Sequence, residues 1–267
     1  MIKSDTKIKD IDSLKVGFIQ YDIKWEDKAA NFEKIESILS QELKQDIDIL
    51  VLPEMFTTGF SMNVDKLAET YNEITYNWLS KISSQWNTAV VGSAIIKDKN
   101  HYKNRLLWYS SEGFHEYDKR HLISISKEDR FFKPGTQRKI IEYKGWNIFP
   151  SICYDLRFPS WFTNDVEYDI ILNVANWPTI RSEHWKVFLK SRAIENQSYI
   201  VGVNRIGIDG NGFDYCGNSM IIDYNGNEII NSHNSEGLFI SEIKKSDLIK
   251  YRKKYPFIKD QDKIKFL

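Results

Sequence analysis

The chain has 267 residues, 42% of them hydrophobic and 14% aromatic, enough for one large core or two small ones. Lys plus Arg and Asp plus Glu both number 37, so a formal net charge of zero gives no reason to expect nucleic acid or an anionic membrane as a partner. Two cysteines, Cys153 and Cys216, exclude a disulfide framework and predict a cytoplasmic protein. The polar start, Met1 to Asp10, lacks the apolar centre of a signal peptide, and no apolar run approaches the roughly 18 residues of a membrane span.

Residues 1–13 are predicted to be a loose polar arm and residues 14–267 a single domain, since no linker, repeat or composition shift interrupts them. Lys15–Gln20 reads as a strand and Asn31–Leu43 as a helix, with Phe32, Ile35, Ile38 and Leu39 at helical spacing. Ile47–Leu52 is a mostly apolar run stopped by Pro53, the pattern of a buried strand. A helical pattern over Tyr71–Gln85 precedes a strand at Thr88–Ile96. Arg105–Tyr109 then pairs with Gly113–Tyr117 around a Ser110–Gly113 turn. In the second half, Trp146–Ile152 and Asp169–Val174 are predicted strands, with a helix between them starting near Phe158. Glu183–Glu195 is an amphipathic helix and Tyr199–Val203 a strand. Tyr215–Tyr224 and Leu238–Ile243 form a hairpin-like tail around the Tyr224–Asn227 turn. Short buried strands alternating with helices mean an α/β fold with helix-covered sheets. About ten to twelve strands are many for one open sheet, which favours two stacked sheets.

Three polar groups follow predicted strands directly, at the edge where α/β proteins collect ligands. Glu54 follows the apolar run in Leu-Pro-Glu-Met-Phe. Lys119 follows Gly113–Tyr117 in Tyr-Asp-Lys-Arg-His-Leu. Cys153 follows Trp146–Ile152 in Cys-Tyr-Asp-Leu-Arg-Phe-Pro. An acid, an amine and a thiol from neighbouring strand ends make a nucleophilic site. A cysteine at a helix start is expected to be pushed toward the reactive thiolate. There is no Gly-x-Ser-x-Gly elbow, phosphate-binding glycine loop or His-Glu-x-x-His, and the cysteines lack zinc-site spacing. A Cys–His pair stays open, because His121 lies beside Lys119 and His184 precedes a helix. A redox-sensing thiol is a further alternative, without a resolving cysteine nearby.

Glu54 in Pro-Glu-Met-Phe, Lys119 in Asp-Lys-Arg-His-Leu and Cys153 in Cys-Tyr-Asp-Leu-Arg-Phe-Pro resemble, in order and spacing, the Glu-Lys-Cys signature of the nitrilase superfamily of carbon–nitrogen hydrolases. Glu54–Phe60, Val174–Pro178, Arg192–Gln197 and Asp209-Gly-Asn-Gly212 are similar to the bacterial omega-amidase branch, the 2-oxoglutaramate amidases. The resemblance spans residues 14–245. It implies a four-layer α-β-β-α sandwich of two stacked mixed sheets, dimerisation through the outer helices, and no cofactor or metal. A second family acid precedes a Pro-Gly pair, which points to Glu128, with Asp129 as the adjacent rival. The alternative for that acid is a loop ion pair with Arg130 or Lys133.

The resemblance further implies that Glu54 takes the Cys153 proton, that the sulfur attacks an amide carbon, and that the acid returns the proton to departing ammonia before activating water against the thioester. Lys119 and the Tyr154 N–H are expected to stabilise the oxyanion. Substrates of this branch are small carboxylates with a terminal amide, so a cation is needed for the far carboxylate. Arg181 and Arg157 are the candidates, Arg157 being favoured instead to pair with an acid and tie down the loop after the nucleophile. Phe60 and Trp177 are candidate pocket walls. A nitrilase, an N-carbamoyl amidohydrolase and a non-catalytic binding protein on the same fold are the competing readings.

Overall fold

The computed structural model describes residues 11–264. Its first half runs β1 (Ser13–Gln20), α1 (Lys28–Glu42), β2 (Ile49–Val51), α2 (Val64–Leu67), α3 (Ile74–Trp86), β3 (Ala89–Asp98), β4 (His101–Ser110), β5 (Gly113–Asp118) and α4 (Glu128–Phe131). The second half runs β6 (Ile141–Tyr143), β7 (Trp146–Ile152), β8 (Ile170–Val174), α5 (Ser182–Glu195), β9 (Tyr199–Val203), β10 (Ile206–Ile208), β11 (Asp214–Cys216), β12 (Met220–Ile222), β13 (Glu228–Asn231), β14 (Gly237–Lys244) and α6 (Lys245–Lys254). One six-stranded sheet has the order β14-β1-β2-β3-β4-β5 and the other β13-β12-β9-β8-β7-β6. Both are mixed: β1, β2 and β3 are parallel neighbours, as are β7, β8 and β9, and antiparallel strands flank each trio.

The two-residue alternation of strand side chains sorts the layers. Val16, Phe18, Ile49, Val51, Val91, Leu106 and Trp108 of the first sheet share one apolar cluster with Trp146, Ile148 and Ile170 of the second. Their alternates, Ile19, Leu50, Val90 and Leu107, cluster instead with Ile35 and Leu39 of α1 and with Leu79 and Ile82 of α3. Each such fully buried aliphatic side chain contributes about 1.5–3 kcal/mol. Helix α5 buries Trp185, Leu189 and Ala193 in the first cluster, on the side of the second sheet. Leu189 sits so close to Gly202 of β9 that a Cβ there would lie 2.6 Å from its methyl groups. The result is the four-layer α-β-β-α sandwich.

Several expected elements differ. The helix predicted near Phe158 is two short 3-10 turns, Cys153–Arg157 and Pro159–Phe162, because Pro159 interrupts the backbone pattern. The tail is not one hairpin. The turn near Gly226 joins β12 to β13, and β14 crosses to the other sheet to pair antiparallel with the whole of β1. Of the expected loose arm, residues 1–10 lie outside the described residues. Ser13 is already in β1, and Asp12 caps α6 by accepting from the Ser246 N–H at 2.8 Å.

Candidate active site

Two strand ends and one short helix deliver the charged side chains. After β2 the chain stays attached to β3, with Leu52 N–H donating to Val91 O at 2.7 Å, and then turns at Met55, whose φ of 44° is left-handed. Ser93 of β3 anchors that turn: its Oγ accepts from Met55 N–H (2.9 Å) and its carbonyl from Phe56 N–H (3.1 Å). Glu54 therefore points from a fixed corner. Lys119 leaves β5 with its N–H on Asn104 O (2.9 Å), and its own carbonyl accepts from Gly135 N–H (2.8 Å). Only glycine fits at 135, since a Cβ would lie 2.2 Å from Asp118 O. Glu128 begins α4 on the intervening loop.

Lys119 Nζ joins the two acids, donating to Glu54 Oε1 at 2.8 Å and Glu128 Oε1 at 2.9 Å, with all three side chains at 0% exposure. Asn104 Nδ2 donates to the same two oxygens, at 2.8 and 3.2 Å. The outer oxygens are occupied as well: Asn176 N–H donates to Glu54 Oε2 and Ile123 N–H to Glu128 Oε2, both at 2.8 Å. Asp129 is exposed, so Glu128 is the acid that joins the cluster, and its partners are Lys119 and Asn104 rather than Arg130 or Lys133. Burial raises the Glu128 carboxyl above its ordinary range; Lys119 opposes that shift and the Glu54 carboxylate adds to it. Burial works against the Lys119 ammonium, but Glu128 and Glu54 outweigh it and hold the amine firmly charged.

Cys153 is buried, directly after β7, with a left-handed φ of 42° and its Sγ 3.9 Å from Asn176 O. Such a conformation is costly for a non-glycine residue and is held by its surroundings. The expected drift toward thiolate does not occur. Burial raises the thiol well above its usual range, Glu54 and Glu128 add to the rise, and Lys119 with the Asn176 carbonyl contact offsets only part of it. The turn that Cys153 opens is five residues of 3-10 helix, too short to supply a strong dipole.

Asp155 braces this turn. Its Oδ2 accepts from Ile152 N–H (3.0 Å) and Tyr117 OH (2.7 Å). Its Oδ1 accepts from His121 N–H (2.8 Å) and faces His121 Nδ1 at 2.8 Å. The His121 ring also stacks on Phe158, at 3.9 Å between centroids. His184 Nδ1 faces Arg157 at 3.2 Å. Both rings are thus engaged away from the sulfur, and neither hydrogen-bonds Cys153. Among the described residues Arg157 does not pair with an acid as expected. Its guanidinium lies over Trp177, Phe188 and Tyr154, at 5.0, 5.2 and 5.9 Å from the ring centroids. The loop is tied by Asp155 and by Arg192, whose Nε and a terminal nitrogen donate to Leu156 O at 3.1 and 2.8 Å.

Cys153 opens onto a chamber of about 180 Å³ lined also by Tyr154, Arg157, Trp177 and Arg181. Trp177 is fixed by its indole N–H on Arg181 O (2.8 Å) and its backbone N–H on Asn204 Oδ1 (2.8 Å). Phe60 lines a second chamber of about 350 Å³, and its ring centroid is 5.1 Å from Lys119 Nζ. Sequence reasoning missed Asn104 and Asn176, which hold the acids, and the Asp155–His121–Tyr117 brace. Asn104 carried a readable signal: it shares a strand face with the core residues Leu106 and Trp108, where a polar side chain needs a polar partner. Among the described residues no group of three or more His, Cys, Asp or Glu is arranged to hold a metal ion.

The carbon–nitrogen hydrolase family profile matches residues 15–253. The chain belongs to the carbon–nitrogen hydrolase family. It is 42% identical to omega-amidase YafV of Yersinia enterocolitica over 211 residues, 79% of this chain and 81% of the relative. It is 32% identical to the 2-oxoglutaramate amidase of Bacillus subtilis, over 78% and 82% of the two chains. Among solved structures, the CN-hydrolase superfamily protein XC1258 of Xanthomonas campestris superposes with a TM-score of 0.93 at 35% identity, covering 96% of this chain and 100% of that one. That crystal structure holds an arsenic adduct in its active site. As a family member the chain is a hydrolase acting on carbon–nitrogen bonds of amides.

Proposed function

We propose that the protein is an omega-amidase that hydrolyses the terminal amide of a small carboxylate, 2-oxoglutaramate or a close analogue, through a Cys153 thioester. The observation that carries this reading is the sealed Lys119 bridge between Glu54 and Glu128 beside a cysteine in left-handed backbone. Identity to an omega-amidase and a 2-oxoglutaramate amidase supports the substrate class.

Because the resting thiol is neutral, its proton must leave as the sulfur attacks. Glu54 is the base. Its two oxygens face Lys119 and the Asn176 N–H, which fix its direction. Lys119 and the Tyr154 N–H, which lies in the first turn after β7 with no intrahelical acceptor, stabilise the oxyanion. Glu128 keeps Lys119 charged and oriented. Glu54 then protonates the departing ammonia and draws the proton from the water that cleaves the thioester. Arg181 receives the far carboxylate of the substrate, with Trp177 and Phe60 as walls.

Residues 14–267 act as one catalytic domain in this reading, supported by the pairing of β14 with β1. A homodimer through the outer helices is supported by Val187 and Ile194, exposed on α5 at 59% and 50%. A cytoplasmic setting is supported by two unpaired cysteines. The test is ammonia release from 2-oxoglutaramate by the wild type and by Cys153→Ala, beside a nitrile and an N-carbamoyl amino acid. Turnover of 2-oxoglutaramate by the wild type alone supports the proposal. Preference for the nitrile or the carbamoyl compound assigns the chain to those branches, and binding without turnover of any of them leaves a binding protein.

A further inference from the structure

We infer that the second chamber receives the nitrogen substituent of a secondary amide, so that the protein cleaves N-alkyl and N-aryl amides of its acids as well as the primary amides. This rests on the amidase reading above. A departing ammonia needs no chamber. Yet next to the 180 Å³ space over Cys153 lies one of about 350 Å³, and only the larger reaches the ~300–1,000 Å³ of ordinary small-molecule pockets. The two meet along Asn176, Pro178 and Arg181, so one molecule joined to the sulfur can extend into both.

The linings assign the halves of the substrate. The first chamber carries the guanidinium groups of Arg157 and Arg181 and suits a carboxylate-bearing acyl group. The second shares Arg181 at the junction and sets Lys127 against Asp209, but its wall of Phe60, Met62, Phe213 and Tyr215 suits an apolar group. It lies on the proton-donor side: Phe60 is 5.1 Å from Lys119 Nζ, which is 2.8 Å from Glu54. The leaving nitrogen must face that side to be protonated. Asn176 stands at the junction with its Oδ1 buried and without a hydrogen-bond partner, an acceptor for the one N–H that a secondary amide retains.

The aromatic wall is built rather than incidental. Tyr215 OH donates to Asp209 Oδ2 at 2.9 Å, and Asp209 Oδ1 accepts from the N–H groups of Asn211 and Phe213 at 2.9 and 3.0 Å. The Asp209-Gly-Asn-Gly212 stretch thereby fixes the hairpin of β10 and β11 against the chamber. In the reaction the sulfur–carbon bond forms, the carbon–nitrogen bond breaks, and the proton held by Glu54 leaves on the amine. Water then cleaves the thioester and restores the thiol.

The test compares kcat/KM for the primary, N-butyl and N-benzyl monoamides of glutaric acid in the wild type, Met62→Trp and Phe213→Trp, two substitutions that narrow the second chamber. The wild type should release butylamine and benzylamine at kcat/KM within roughly tenfold of the primary amide. Either substitution should lower the secondary amides roughly tenfold or more, the scale on which apolar pockets discriminate, and leave the primary amide unchanged. A wild type that cleaves the primary amide but neither secondary amide overturns the inference alone, as do variants that lower all three alike while melting as the wild type does. A wild type inactive on all three overturns the amidase reading and this inference with it.

Discussion

Replacing Lys119 with methionine keeps the volume of the side chain and removes the charge that holds the site together. Three effects should appear at once. The oxyanion loses a donor, which costs roughly 100- to 1,000-fold in kcat. Glu54 and Glu128 lose the ammonium that donates to them at 2.8 and 2.9 Å, and stripping one partner from a buried ion cluster costs about 3–5 kcal/mol of stability. The third effect is a change in pH dependence. Burial and Glu54 already raise the Glu128 carboxyl against the pull of Lys119, and without that pull it rises further. A carboxyl whose folded value is raised contributes stability in full below its unfolded value and loses it as the pH climbs through the folded one. Lys119→Met should therefore melt closer to the wild type near about pH 5 than near about pH 8, because the raised Glu128 carboxyl is more readily protonated toward acid. The assay is thermal melting across that range beside steady-state turnover. Turnover within about tenfold of the wild type would refute the oxyanion role. A melting deficit that is absent, or that grows toward acid, would refute the electrostatic account.

Glu128→Gln should lower kcat strongly by loosening Lys119, whereas Asp129→Asn, on the exposed side of the same turn, should leave steady-state kinetics unchanged. The far-ultraviolet thiolate absorbance of the wild type minus that of Cys153→Ala should stay flat through neutral pH, since burial and Glu54 raise the thiol; a signal at neutral pH would contradict that picture. Asp155→Asn turns a carboxylate oxygen facing Ile152 N–H or His121 N–H into a donor, and should cost about 1.5–3 kcal/mol in chemical denaturation along with a fall in kcat. Gly92→Ala would put a Cβ 2.7 Å from the Phe56 ring and 3.0 Å from Leu52 Cβ, beneath the Glu54 turn. It should destabilise by about 1–3 kcal/mol, read as a lower melting temperature.

The chemistry of the site was more legible than its geometry. Glu54, Lys119 and Cys153 could be singled out because each directly follows a predicted strand, at the edge where α/β proteins collect ligands. Glu128 was distinguishable from Asp129 only once the backbone placed one inside and the other in solvent. Arg157 shows the limit of reading charges along a chain: a guanidinium next to a loop suggests an acid partner, but three aromatic rings surround it instead. Likewise the thiol of Cys153 was expected to ionise from its place at a helix start, and burial of the sulfur, reinforced by the carboxylates nearby, decides otherwise.

Local patterns in the amino-acid order determined the alternation of strands and helices, the residues that face the core and the kinds of functional group present, because periodicity and polarity act over a few residues. Which sheet each strand joined, how β14 came to lie on β1, and the convergence of Glu54, Lys119, Glu128 and Cys153 were decided only by the tertiary structure. Those outcomes depend on pairing and burial between segments far apart in the chain, where the polarity of a residue says that it needs a partner but not which one.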